Sequence, residues 1–320
     1  MGQGMFRAGL AGLFCAALPS VSAAQWPAKP IRMIVPFPPG GGTDLVGRAA
    51  ANRLAGVLAQ PVVVDNRGGA GGIIGSEIVA RANPDGYTLG IATSSTHPVA
   101  GLTQKIPYDP LASFAPVTQV GVTPYIIVAA PVLPANNLAE LIAYMKANPG
   151  KVNVAHVGTG TLGYLIGEAF RAATGTDMVP VPFKGSSAIY PDLASNRVQI
   201  FFDNPVASAP LVKAGRLKAI AVTQRTPLLP ATPTLEEAGL KGFDHGFWYG
   251  IVAPAGTPRA IADSVSREIA AYGKSSAGRN ELAALAVEPV GSTPEQFAEI
   301  IRNDIDRWGK VARAIGLKPQ

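Results

Sequence analysis

Five stretches of this sequence crowd main-chain donors and small hydroxyls together: PFPPGGGTD (36–44), NRGGAGGIIG (66–75), SST (94–96), GTGT (158–161) and KGSS (184–187). Glycine has no Cβ, so its N–H can approach an anion closely, and a helix beginning just beyond such a loop adds the positive end of its dipole. The chemistry on offer is therefore recognition of a negatively charged group by backbone. A hydrogen bond to a charged group contributes about 1.5–3 kcal/mol, so about four could approach the roughly −8 kcal/mol of a micromolar complex after ordering costs.

Catalytic patterns are sparse by comparison. The histidines are His97, His156 and His245. His97 stands close to Ser94 and Ser95, which leaves open an exported hydrolase, but no G-x-S-x-G nucleophile elbow accompanies the pair. No His/Asp/Glu spacing resembles a metal site, and neither a metal nor a cofactor is expected. GTGTLG (158–163) fits G-x-G-x-x-G between a strand and a helix, yet the next strand ends at Phe183-Lys184 with no acidic residue for a ribose. Asp203, closing VQIFFD (198–203), is placed to position waters or to read a ligand hydroxyl or amine. Asp44 has two readings, as a helix N-cap or as a ligand contact. Trp248 and Tyr249 read as hinge packing or as a cleft wall, and Phe37 as a wall for the ligand.

These loops need strands and helices to hold them. From Ile31 the chain alternates apolar runs with helical periodicity: IRMIVPF, LVGRAAANRLAGVLA, PVVVDN, GIIGSEIVARA, YTLGIAT. Strands joined through helices predict a parallel sheet with both faces covered. A second series begins near Tyr125. It contains a helix over 138–147 opened by Asn137 with Glu140 as capping partner, and a helix closed by Gly175. Further on, Thr293, Pro294 and Gln296 mark the start of the last helix. The residues after Gly239 have too few strands for a third unit and are expected to complete the first. The reading is residues 1–24 as a leader, 25–123 as the first part of lobe 1, 124–245 as lobe 2, and 246–320 as the rest of lobe 1. Crossings near Thr123-Pro124 and 245–248 leave a cleft for a ligand.

The chain has 320 residues, 48% hydrophobic and 15% charged, enough for two cores. Arg7, the apolar run AGLAGLFCAAL (8–18) and small residues at 21–24 read as a secretory leader cleaved near Ala23 or Ala24. That run is well short of the roughly 20 residues of a membrane span. Cys15, the single cysteine, lies inside the leader, and Phe14 before it is too bulky for a lipoprotein cleavage site. The mature chain then has neither a disulfide nor a thiolate. Loss of Arg7 takes the formal charge from +6 to +5, spread without clusters of basic and aromatic residues. That argues against nucleic acid and suits small anions.

VPFPPGGGTD, DNRGGAGGIIG, NPDGYTLGIAT, YDPLASFAPVTQVG, VPFKGSSAIYPDLASNRVQIFFD, GRLKAIAVT with LLPATPTLEEAGL, and WYGIVAPAGTP follow one another from about Trp26 to Leu317. In that order they resemble the Bug family of periplasmic solute-binding receptors of tripartite tricarboxylate transporters. The resemblance implies an α/β, two-lobed type II periplasmic-binding-protein (Venus-flytrap) fold without catalytic residues. It also implies a small carboxylate ligand, membrane transporter subunits as partners, and a monomer in the periplasm. The implied first-lobe contacts are Phe37, Gly40, Gly41, Gly42, Thr43, Asp44, Gly69, Ala70, Gly71, Ser94 and Ser95. Those of the second lobe are Thr159, Gly160, Thr161, Lys184, Gly185, Ser186 and Asp203. This chain departs from the family pattern with Tyr164 in place of a common histidine and Phe183 in place of a tyrosine. Asn196-Arg197 replaces a turn glycine, which Asn tolerates. A ligand-sensing subunit for a membrane signalling partner would share the fold and ligand, and stays open as an alternative.

Overall fold

The computed structural model describes residues 26–319, so the expected leader lies outside the described residues. Two sheets organise the chain. The first contains β1 (Ile31–Val35), β2 (Val62–Asn66), β3 (Thr88–Thr93), β4 (Phe114–Pro124), β10 (Gly246–Pro254) and β11 (Glu288–Pro289), in the order β11-β4-β10-β3-β1-β2. The second contains β5 (Ile126–Ala129), β6 (Asn153–His156), β7 (Val179–Pro182), β8 (Ile200–Asp203) and β9 (Lys218–Val222), in the order β7-β6-β8-β5-β9. The C-terminal strands thus join the first sheet.

The expectation of purely parallel sheets is corrected by the two strands that carry the crossings. β1 pairs in parallel with β2 and β3, but β10 runs antiparallel to β3 and β4. In the second sheet β6 pairs in parallel with β7 and β8, whereas β5 is antiparallel to β8 and β9. A chain that leaves one sheet along β4 enters the next along β5 from the opposite end, and only Tyr125 separates them. Return along β10 has the same effect. The two crossings lie side by side, with Gly246 paired to Pro124 and Phe247 to Thr123, and the end of β9 is bonded to the first: Thr223 N donates to Tyr125 O at 2.8 Å, and Tyr125 N donates to Thr223 Oγ1 at 2.8 Å.

Helices cover the sheets: α1 (Gly42–Leu58), α2 (Ile73–Ala80), α3 (Ala100–Thr103), α4 (Leu138–Ala147), α5 (Leu162–Thr174), α6 (Ser186–Ala194), α7 (Pro205–Lys213), α8 (Arg259–Lys274), α9 (Ser276–Ala284) and α10 (Pro294–Ala314). Local chemistry fixes their ends. Asn137 accepts from Glu140 N at 2.9 Å, Gly175 closes α5 at φ 62°, and Thr293 with Gln296 forms a reciprocal capping box on α10. The side chains facing the sheets, among them Leu54, Phe170 and Ile269, are almost wholly buried. Each such side chain contributes about 1.5–3 kcal/mol relative to exposure.

Candidate functional site

Four helices aim their N-termini at one space. α1 follows the first glycine loop, α5 follows GTGT, α6 follows Lys184-Gly185, and α7 follows Asp203-Asn204. Between them lies a cavity of about 550 Å³, counting the part open to solvent. Gly41, Gly42 and Thr43 line it from α1, Thr161 and Gly163 from α5, Ser186 from α6, and Asp203 and Asn204 from the start of α7. Phe37, Pro38, Ser95, Tyr125, His156, Val157, Tyr164, Phe201, Phe202 and Phe247 complete the wall. No lysine or arginine is among these lining residues. The first turn of each helix has N–H groups without intrahelical partners, and these groups and the dipoles can compensate negative charge without a cation.

The aromatic side chains form an apolar wall from strand ends of both lobes. Phe247 and Tyr249 share one face of β10, with ring centroids 4.9 Å apart, and Tyr125 packs edge-on against Phe247 at 5.6 Å. Trp248 points to the opposite face, packs on Phe297 and donates Nε1 to Asp304 at 2.7 Å. Strand alternation therefore makes Trp248 a core residue, while Phe247 reaches the cavity. The orphan atoms nearby are polar: among the described residues, Asn204 Oδ1 and Tyr249 OH are buried with no protein partner. Both sit against Gly42, where a Cβ would lie 2.4 Å from Asn204 Oδ1 and 2.8 Å from Tyr249 OH.

Asp203 is 3% exposed and accepts a hydrogen bond from Tyr190 OH at 2.9 Å. Burial pushes its carboxyl up to about 7 against the opposing effect of that hydroxyl. His156 accepts from Gly158 N at 3.2 Å through Nδ1 and lies tilted beside Tyr164 with ring centroids 5.0 Å apart; burial lowers its pKa, which keeps the ring neutral near pH 7.

Of the residues named from the sequence, Phe37, Gly41, Gly42, Thr43, Ser95, Thr161, Ser186 and Asp203 line the cavity. Gly71, Gly160 and Gly185 instead form the rim where the lobes touch. A Cβ on Gly158 would come within 2.9 Å of Gly71 Cα, one on Gly160 would overlap Gln104 Nε2 at 1.8 Å, and one on Gly185 would meet Pro38 Cγ at 2.9 Å. Ser187 Oγ donates to Pro39 O at 3.2 Å on the same rim. Gly69 and Ala70 shape the turn that carries Gly71, and Thr159 and Lys184 point to solvent.

Two expectations change here. Asp44 is not the N-cap of α1, which begins earlier with Gly41 in that role. Asp44 sits three positions on and accepts from Gly40 N at 2.9 Å, Arg48 Nε at 3.0 Å and Asn66 Nδ2 at 2.9 Å. Burial would raise its pKa, but these donors hold it below the usual value. The Ser-His pair does not form either. Ser94 Oγ accepts from Trp248 N at 2.8 Å, Ser95 Oγ accepts from Leu162 N at 3.0 Å, and His97 Nδ1 meets Thr96 Oγ1 at 3.1 Å. His97 is 1% exposed and lies outside the cavity.

Sequence reasoning missed Tyr125, His156, Phe201, Phe202, Asn204 and Phe247. Each stands at the end of a strand or directly after one, beside a loop already singled out, and that adjacency was the available signal.

Two α/β lobes with a cavity at converging helix N-termini define a solute-binding receptor of the two-lobed periplasmic type. A family model described as "Tripartite tricarboxylate transporter family receptor" matches residues 46–317. The protein BugT of Bordetella pertussis is 39% identical over 302 residues, 93% of either chain. An R. palustris protein solved with adipate superposes with a TM-score of 0.90 at 36% identity, covering 92% of this chain and 100% of the other. MatC from Rhodopseudomonas palustris, solved with bound malate, gives 0.85 at 32% identity over 89% of this chain and 99% of the other. The chain belongs to the tripartite tricarboxylate transporter receptor family. Its members are periplasmic binding proteins of the Bug type, receptors and not enzymes.

Proposed function

We propose that the cavity captures a small carboxylated metabolite, of roughly malate to adipate size, and that the closed form presents it to membrane transporter subunits. The observation that carries this reading is the convergence of four helix N-termini on a space with no lining cation. Such a space compensates a carboxylate with N–H groups and dipoles, and the aromatic wall accommodates the body between charges. The adipate- and malate-bound relatives support the same ligand class.

In this reading the ligand contacts come from the lining residues, and Gly71, Gly158, Gly160 and Gly185 allow the rims to meet. The chain is exported with cleavage near Ala23 or Ala24 and works as a monomer. Its lobes divide at 25–123 with 246–320, and 124–245. Ligand touching both lobes shifts the population toward the closed state.

The test is a thermal-shift screen of malate, succinate, adipate, citrate, acidic amino acids and aromatic acids, followed by calorimetric titration. At 100 times Kd a ligand stabilises the folded state by about 2.7 kcal/mol, a rise of about 5–10 °C for a chain of this size. Stoichiometric heat without product supports a receptor. Flat melting curves with every acid at millimolar concentration would overturn the assignment.

A further inference from the structure

We propose that Asp203 meets a ligand carboxylate as a neutral carboxylic acid, so that ligand capture draws a proton from solvent, approaching one per ligand as the pH rises above neutral. This rests on the reading of the cavity as a carboxylate site. It adds a claim about which group carries the proton and what ligand charge the site selects.

The geometry sets the problem. Asp203 ends β8 inside the cavity wall and is almost wholly buried. A bound carboxylate and an ionised Asp203 would be two like charges in one dry space with no lysine or arginine among the lining residues to separate them. Neighbouring carboxyls resolve such a conflict by keeping one proton between them. Asp203 and a bound carboxylate compete for the same helix termini, Asp203 standing at the start of α7.

The surrounding groups do not remove the conflict. From the helices and strands packed on β8 come Tyr190 of α6, His156 of β6 and Tyr164 of α5, with Tyr125 and Tyr249 facing in from the two crossings. The tyrosines are pushed above their ordinary values by burial and stay neutral, and burial keeps His156 neutral in the same range. The charged groups on those elements are engaged elsewhere: Glu168 with Arg171, Asp192 with Arg197, Asp44 with Arg48, and Lys218 with the carbonyl of Leu133. Lys213 stands at the last turn of α7, away from the cavity end. Burial has already brought the Asp203 carboxyl up to about 7 before a ligand charge is added. Tyr190 OH donates to Oδ2, and the Ser208 hydroxyl and the Asn204 N–H at the start of α7 also favour the ionised form, yet burial outweighs all three.

The proton balance is explicit. Well above pH 7 the unliganded carboxyl is ionised, the dianionic ligand enters with both carboxylates unprotonated, and one proton from buffer ends on Asp203; nearer pH 7 the uptake is the ionised fraction of the free carboxyl. A ligand bearing an ammonium would instead be met by ionised Asp203, with no uptake.

The experiment is calorimetric titration with sodium adipate, and with sodium malate in parallel, at pH 6.5, 7.5 and 8.5. Each titration is run in two buffers of different ionisation enthalpy. Binding at pH 6.5 comes first, because failure of both acids there defeats the carboxylate reading itself. Given binding, the proposal expects proton uptake approaching one per ligand at pH 8.5 and affinity falling by about tenfold per pH unit above the Asp203 titration. Asp203→Asn, which cannot ionise, is expected to give a flat profile that crosses the wild-type curve. Tyr190→Phe, which removes a donor favouring the ionised form, should move the fall to higher pH. Constant wild-type affinity with no uptake would overturn the proposal without any variant. So would a pH dependence that survives in Asp203→Asn, which would put the proton on His156.

Discussion

Ser95 accepts a hydrogen bond from the backbone N–H of Leu162 at 3.0 Å, joining the first lobe to the opening turn of a helix in the second. The bond satisfies one of the donors that α5 leaves free at its N-terminus, and it spans the two lobes. Ser95→Ala removes the acceptor and leaves the N–H to be hydrated in the open form. A neutral hydrogen bond is worth about 0.5–1.5 kcal/mol, so ligand affinity should fall by about 2- to 12-fold. The unliganded melting temperature should change little. Titration calorimetry checks both; unchanged affinity would mean that the bond adds nothing to closure.

Gly42 and Gly41 line the cavity side by side but differ in the space around them. An added Cβ at Gly42 would intrude on Asn204 from the other lobe and on buried Tyr249, whereas at Gly41 the nearest atoms, Pro38 O and Ser186 Cβ, are 4.0 Å away. Gly42→Ala therefore opposes closure itself. With an overpacking cost of about 1–3 kcal/mol, affinity should drop by about 5- to 150-fold. Gly41→Ala should fit without strain, and the bulkier Gly41→Val should abolish ligand-induced stabilisation while keeping the unliganded melting point within a few degrees. Normal ligand stabilisation of Gly41→Val would reduce the loop to a turn.

Helix ends, glycine loops and family membership were legible because each rests on local chemistry. Asn137 with Glu140, Thr293 with Gln296, and Asn196 at φ 60° occupy the positions their side chains favour. The strand directions of β5 and β10 were not legible, because pairing partners are chosen by a chain that leaves one sheet and returns much later. Nor was the division of the glycines into cavity and rim. Gly71 and Gly158 lie far apart in sequence and need each other's missing Cβ only when the lobes meet. Alternation along FWY at 247–249 could have separated Phe247 from Trp248, since period two places them on opposite faces.

Asp44 holds the first glycine loop rather than the cavity. Its carboxylate gathers Gly40 N, Asn66 Nδ2 and Arg48, and Asn66 Nδ2 also donates to Phe37 O at 3.0 Å. Asp44→Ala strands these donors at a largely buried point. The expected cost is about 2–4 kcal/mol, a fall in melting temperature of about 5–15 °C, with affinity reduced alike for every acid that binds. A changed preference among acids at an unmoved melting temperature would return Asp44 to direct ligand contact.

His97 gives the fold an acid sensitivity that is separate from ligand binding. It is packed against Phe114 at a centroid distance of 4.5 Å, its Nε2 is buried with no protein partner, and burial lowers its pKa to about 3. The sign follows from the unfolded chain, in which the ring titrates near 6.5. Between those values the unfolded state binds a proton that the native state refuses, so stability is fully present above pH 6.5 and is lost as pH falls toward 3. His97→Phe keeps an aromatic ring against Phe114 and cannot titrate. Its loss of the Thr96 hydrogen bond should lower stability at pH 7.5 by about 1 kcal/mol. Urea unfolding between pH 7.5 and 4.5 should then show a shallower decline than in the wild type. A variant whose stability falls as steeply as the wild type's would show that other groups govern the acid limb.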